Sequence, residues 1–587
     1  MEKNILIHLD LKGAPPKPAY LAKIDFVKIN ATSVVAARKP IKKLKDLLVD
    51  IPVPIKEARI VKTKFAKSVL LDLGKEVVFL PERMTRGLHL RHRGVCKRKI
   101  FVSISRPGGR WEQVSADVIF QNCLILKERE SVNMFLVLFV CKIPCATGIL
   151  LEWEDTFPYT DDIRLLGSLG DSSATSQSNL TVIPLVQTIG HMEFVLKYSK
   201  FNYLRETKDC PNCLCPTSDG SLDLVKCLIN QIISFHEHCE YIHIGADEVW
   251  HMGVCEKCVQ LGSQRLRFLW LDHVIKLAIY IKSTYPNKKI IVWDDMLRNI
   301  DEDLLKESNI GDLVEPMVWY YQNEDAFFNQ NLWDKYCTIF PNIWAASAFK
   351  GATSSCQIIP TVAHHIQNQE CWIRGLSKYT EKIKNLRGIV LTGWSRFDHY
   401  ATLCELLPCG IPSLFFSLMT LRHGEYSPEA CEAEALRINC SFPFNNMTNR
   451  PPIFPGSEVY VTMEWLASFI RKYKMEVNDD RFNTWFNPWQ IKTMYVNRGH
   501  ILGINANLEA LLGELEIVEK RFDECVVNIL YNHTIEELKG TLIDPIKQNI
   551  NKMLQASKSL INPGCLSKPQ AFKRNWLQAG MSVEENS

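Results

Sequence analysis

The sequence predicts a (β/α)8 barrel, an α/β fold, and three observations predict it. There are eight short apolar runs, a polar or aromatic residue closes each one, and helix-length segments separate most of them. The runs are Ile5–Asp10, Gly148–Trp153, Val182–Gln187, Tyr241–Ile244, Ile290–Trp293, Leu313–Trp319, Ile343–Ser347 and Gly388–Trp394. Parallel strands buried on both faces read as continuous apolar stretches. A barrel built from them carries its chemistry at the strands' carboxyl ends.

In chain order, residues 1–25 hold the first strand and the start of the first helix. Residues 26–145 break the rhythm, because a βα crossover needs only about 30 residues. This stretch carries 24 Lys and Arg against 10 Asp and Glu, with its densest cluster at Arg91–Lys99. It reads as a basic insertion of unknown fold. A solvated insertion is the favoured reading, with nucleic-acid binding as the rival. Residues 146–420 supply the remaining strands. Within them, the Gly- and Ser-rich stretch 160–180 disfavours the second crossover helix. From 421 to 587 the sequence predicts a helical extension, because Leu508, Leu511, Leu515, Val518, Phe522, Val526 and Ile529 recur at helical spacing. Ile535–Leu560 reads as another helix.

Composition narrows the class. A hydrophobic fraction of 46% and 14 Trp indicate a globular core, and a formal charge of +4 selects no partner. Met1-Glu-Lys-Asn runs into an apolar strand without the apolar core of a secretory signal. No run reaches the roughly 20 residues of a membrane helix. The expectation is a protein that is not secreted and not membrane-bound, located in the cytoplasm and also in the nucleus. Its 20 Cys would then be reduced thiols. Cys210/Cys213 and Cys255/Cys258 have metal-like spacing in neighbouring loops, and a four-thiolate structural zinc is weighed there against free thiols, which are favoured.

The chemistry concentrates at Asp247 and Glu248, adjacent carboxylates at the end of the fourth strand. Charge is expensive to bury, so such a pair rarely serves packing. Asp247 should hold the Glu248 pKa up by like-charge repulsion, leaving Glu248 a proton to donate. Trp293, Trp319 and Trp394 close strands five, six and eight. Aromatic rings there suit a sugar face.

His243-Ile-Gly-Ala-Asp247-Glu248 resembles the H-x-G-G-D-E signature of the family 20 β-N-acetylhexosaminidases, and the chain is most similar to their intracellular, hexosaminidase D branch. The supporting stretches are His8–Pro16, Glu152–Tyr159, Ile183–Phe194, Val292–Leu297, Trp344–Gly351 and Leu391–Tyr400. The resemblance implies a retaining exo-enzyme that removes terminal β-linked GalNAc or GlcNAc from glycoconjugates or oligosaccharides, without a required cofactor. It implies that Glu248 is the general acid/base and that Asp247 orients the substrate's acetamide, which attacks the anomeric carbon to form an oxazolinium ion. It also implies substrate contacts from His191, Trp293, Trp319 and Trp394, with Asp294 a further candidate. Lys12 stands near the family's strand-one Arg, and Tyr320 is the substitute for its acetamide-binding Tyr. A galactosaminide preference is adopted from the same branch, and assembly as a homodimer is left open. Two rivals stand beside this reading: a catalytically impaired sugar-binding barrel, and a basic nucleic-acid-associated protein acting through residues 26–145.

Overall fold

The structure, a computed structural model, describes residues 146–167, 181–261, 266–438 apart from 330, 440, and 451–562 apart from 528. It describes 57–62, 67–72, 77–80 and 117–122 as strands. The chain divides into two compact units, residues 1–99 and 100–587. In the first, Glu57–Lys62, Lys67–Asp72 and Val77–Leu80 form an antiparallel three-stranded sheet.

The second unit contains a closed barrel in which every pairing is parallel. Its strands are β1 (Asp117–Asn122), β2 (Gly148–Glu152), β3 (Thr181–Leu185), β4 (Tyr241–His243), β5 (Lys289–Trp293), β6 (Glu315–Trp319), β7 (Asn342–Lys350) and β8 (Asn385–Gly393). Seven of the eight expected runs are therefore barrel strands. The first position differs. Asp117–Asn122, from the stretch read as an insertion, pairs with β8 at Gly388↔Asp117 and with β2 at Ile119↔Gly148. The expected first strand, Ile5–Asp10, and Lys12 lie outside the described residues.

Side chains alternate across each strand. One parity fills the barrel interior: Leu150, Ile183, Leu185, Ile291, Trp293, Met317, Trp344, Ala346 and Val390 form one buried cluster. The other parity, including Ile149, Leu151, Ile290, Val292, Val318 and Ala345, joins the larger core beneath the helices. The helix Ser221–Phe235 shows why. It buries Leu224, Val225, Leu228, Ile229 and Ile232, a stripe at three- and four-residue spacing. The second crossover contains a short 3-10 helix, Asp161–Leu166, and residues 168–180 lie outside the described set.

The helix Leu407–His423 runs across the expected boundary at 420 and is buried along most of its length. Beyond it come Ser457–Val477, Arg498–Val526 and Asp544–Ile561. The expected stripe is present: Leu508, Leu511, Leu515, Val518, Phe522 and Val526 are buried on one face of the Arg498–Val526 helix. The last expected helix is interrupted by a π-helical turn at Lys539–Ile543. Among the described residues, no helix is long and apolar enough to cross a membrane.

Candidate active site

The site begins where β4 ends. Gly245, Ala246 and Glu248 all have positive φ, at 62°, 71° and 48°. That conformation is strained for Ala and Glu and persists only when neighbours enforce it. Here they do. Gly245 N donates to His243 Nδ1 (3.0 Å), and Ala246 N donates to Gln187 Oε1 (3.1 Å). Trp270 Nε1 donates to Ala246 O (2.9 Å), and Glu248 N donates to Asp295 Oδ2 (2.9 Å). A Cβ on Gly245 would lie 2.0 Å from Gln187 Oε1. Gly245→Ala is therefore expected to destabilise the fold by about 1–3 kcal/mol through strain and the displaced amide. Chemical denaturation of the variant measures that loss.

This backbone sends the two carboxylates into different surroundings. Asp247 is 8% exposed. It accepts from Gln187 Nε2 at 3.0 Å and lies 3.7 Å from His191 Nε2. The Glu248 side chain is 37% exposed, and its Oε2 lies 3.3 Å from the same imidazole nitrogen. Burial raises the Asp247 pKa, opposed by His191 and Gln187 and aided by Glu248. Asp247 is the member of the pair withdrawn from water, and that withdrawal is what raises it. His191 sits against the pair. Burial works against its charge, but Asp247 and the bond to Glu248 outweigh it and raise its pKa to about 10.

Aromatic groups complete the wall. Trp293 belongs to the barrel interior, and Trp319 and Trp394 pack against that cluster. The Trp293 ring lies 4.5 Å from His243 and 6.3 Å from Trp394. Trp319 stacks on Tyr321 at 5.2 Å, and Trp394 Nε1 donates to Tyr321 Oη at 3.2 Å. All three expected tryptophans are thereby grouped, with Trp293 as floor.

Two expected residues do not join them. Asp294 is fully buried in an ion pair with Arg298, at 2.7 Å to each of two nitrogens. It also accepts from Trp319 N (3.1 Å) and Tyr336 Oη (3.1 Å). Its neighbour Asp295 faces the site, accepting from Glu248 N and, at 3.4 Å, from Trp319 Nε1. Burial and Asp247 raise the Asp295 pKa to about 7. Likewise the Tyr320 ring stacks on Phe327 at 4.2 Å, among the helices. Tyr321 takes the inward place, where burial pushes its phenol up and Asp247 and Glu248 add to the effect. Strand parity accounts for Tyr321, two residues beyond Trp319, whereas Asp295 is placed by the start of the short helix Asp295–Arg298. Gln187, Asp295 and Tyr321 were missed; following strand parity one step past β3 and β6 would have found Gln187 and Tyr321.

The rim is tied down both from a barrel strand and from outside the barrel. Buried Lys350 donates to Trp394 O (2.7 Å) and Ser395 Oγ (3.0 Å). Arg396 makes a bidentate pair with Glu537 of the C-terminal helices, at 2.7 and 2.6 Å. Glu537 also accepts from Leu403 N at 2.9 Å.

The candidate zinc ligands separate. Cys255 and Cys258 converge with Cys215 and Glu206. Cys213 is instead buried in the main core, and Cys210 is outside the group. None of the 15 described cysteines forms a disulfide.

Comparison with known proteins now adds a decisive finding. Human hexosaminidase D is 33% identical over 432 residues, covering 70% of this chain and 88% of that protein. The chain belongs to the hexosaminidase D family. Bovine hexosaminidase D is 41% identical over 296 residues, covering 48% of this chain and 85% of that protein. No family model matches the chain. Among solved structures, a β-N-acetylhexosaminidase from Bacteroides fragilis is 13% identical, with 56% of this chain and 70% of that one covered and a TM-score of 0.38. A GH20 catalytic module of a pneumococcal exo-β-D-N-acetylglucosaminidase is 11% identical, covering 61% of this chain and 91% of that one, with a TM-score of 0.37. The barrel itself rests on this chain's own strand order. As a member of the hexosaminidase D family, the chain is a glycosidase, a hexosaminidase.

Proposed function

We propose that the chain is a retaining exo-β-N-acetylhexosaminidase that removes terminal β-linked GalNAc or GlcNAc with the substrate's own acetamide as nucleophile. One observation carries this reading: adjacent carboxylates in unlike surroundings, facing an aromatic cup at the carboxyl end of a barrel. Hydrolysis with a protein nucleophile uses two carboxyl groups on opposite sides of the bond, whereas substrate-assisted enzymes need one acid and one group for the acetamide. Glu248, the more exposed of the pair, would protonate the glycosidic oxygen as it leaves. The acetamide carbonyl oxygen would attack the anomeric carbon, closing an oxazolinium ring. Buried Asp247, fixed by Gln187, would accept the acetamide N–H and offset the positive charge that develops. Glu248 would then take a proton from water as that water opens the ring, giving retention.

His191 would hold the two carboxylates apart in orientation and share their charge. Asp295 would fix the Glu248 backbone and the Trp319 ring. Trp293, Trp319 and Trp394 would enclose the acetamide methyl and one sugar face, where apolar area is gained with defined orientation. Tyr321, rather than Tyr320, would hydrogen-bond the acetamide oxygen. Tyr321→Phe is then expected to lower kcat/KM about tenfold, or ~1.4 kcal/mol. Steady-state kinetics check this, with Tyr320→Phe as the control expected to leave kcat/KM unchanged.

The direct test is release of nitrophenol from aryl β-N-acetylgalactosaminide and β-N-acetylglucosaminide by the full chain. Proton NMR of the first-formed sugar reads the anomeric outcome. Turnover with a β product supports the reading. Sugar binding without release would favour the impaired sugar-binding barrel.

A further inference from the structure

The hairpin formed by Arg205–Thr207 and Cys210–Leu214 follows β3, and the short helix Glu256–Val259 follows β4. Between them, Glu206, Cys215, Cys255 and Cys258 bring one carboxylate oxygen and three sulfurs within 4.8 Å of one another. Cys215 Sγ is 3.5 Å from Cys255 Sγ and 3.7 Å from Cys258 Sγ. Cys258 Sγ is 3.4 Å from Glu206 Oε2.

These separations have a geometric meaning. Zinc binds thiolate at about 2.3 Å and carboxylate at about 2.0–2.2 Å, tetrahedrally, which sets sulfurs about 3.8 Å apart and sulfur to oxygen about 3.5 Å apart. The observed distances match both spacings. The surroundings suit a metal as well. Glu206 Oε1 is held by the N–H groups of Val254 (2.7 Å) and Cys255 (2.9 Å), which leaves Oε2 toward the sulfurs. Cys258 N donates to Cys255 Sγ at 3.4 Å. The Thr217 hydroxyl lies 3.2 Å from both Cys215 and Cys258 sulfurs. Such outer contacts orient the ligands of structural sites. Cys215 and Cys258 also sit in a small apolar cluster with Leu269, apart from the main core.

We propose that Glu206, Cys215, Cys255 and Cys258 form a structural zinc site that clamps the loop after β4 to the hairpin after β3. All four tetrahedral positions are filled by protein, the closed arrangement of a structural rather than catalytic metal. On binding, the three thiols lose their protons to solvent and become thiolates. The clamp acts on the segment that begins six residues after Glu248. It stands independently of the hydrolytic reading, since it requires nothing of Asp247 or Glu248.

The experiment uses the full chain, purified without chelator. Elemental analysis is expected to find about one zinc per chain, lost in Cys258→Ser and in Cys255→Ser. In case those variants fail to fold, the wild-type protein is stripped of metal and reloaded with cobalt(II). Thiolate-to-cobalt charge-transfer absorption and a rise in Tm on reloading support the site. A folded wild-type protein that carries no zinc and gives no such absorption would overturn it. So would a Cys215–Cys255 disulfide found by mass spectrometry of the protein as isolated.

Discussion

Glu248→Gln is expected to leave a folded protein that cleaves glycosides at least about 10³-fold more slowly, near the upper range for general acid–base catalysis. The amide keeps the shape of the acid, and the side chain is open enough to solvent to make the exchange cheap for the fold. On the proposed mechanism, what disappears is the proton, needed once by the departing oxygen and once, in reverse, by the attacking water. The deficit will shrink for a dinitrophenyl leaving group, which departs without protonation, and will be largest for a sugar. Kinetics across a series of leaving groups measure this. An equal deficit throughout would indicate that Glu248 does something other than transfer a proton.

Asp247→Asn is expected to lower kcat about 10²-fold with a smaller change in KM, the signature of a group that stabilises developing charge. The variant has a second readout. Asp247 is the largest of the influences that raise His191 to about 10. Removing that anion will bring the imidazole titration down toward its ordinary 6.5, measured from the ring-proton shifts by NMR. The sign for stability follows. A His pKa raised on folding stabilises fully below 6.5, and the contribution is lost as pH rises through about 10. Over that window the wild type will lose more stability from this source than Asp247→Asn. A His191 titration unmoved by the substitution would mean that the pair is not electrostatically joined.

How far the sequence reached depends on the kind of signal. β2 to β8 were legible because each is a buried strand written in apolar residues, and the acid pair because two charges at a strand end have no packing role. The amphipathic stripe from Leu508 to Val526 was legible for the same periodic reason. Single residues at strand ends were harder. Asp294 and Asp295, or Tyr320 and Tyr321, have the same chemistry, and only the local course of the backbone decides which member faces inward. Carboxylate burial was harder still, since a positive φ at Glu248 turns one side chain outward, and no residue type announces it. The metal-like pairs misled in one half: spacing brought Cys210 and Cys213 to notice, while the hairpin's course delivers Cys215 and the unsuspected Glu206. The barrel position beside β8 was not legible at all, because Asp117–Asn122 lies in a stretch whose basic charge overshadowed its short apolar centre.

The Arg396–Glu537 pair gives the far end of the polypeptide a stake in the mouth of the barrel. The loop that carries Trp394 is buttressed by a helix synthesised well over a hundred residues later. A ribosome must therefore carry synthesis past residue 537 before the loop that holds Trp394 acquires this support.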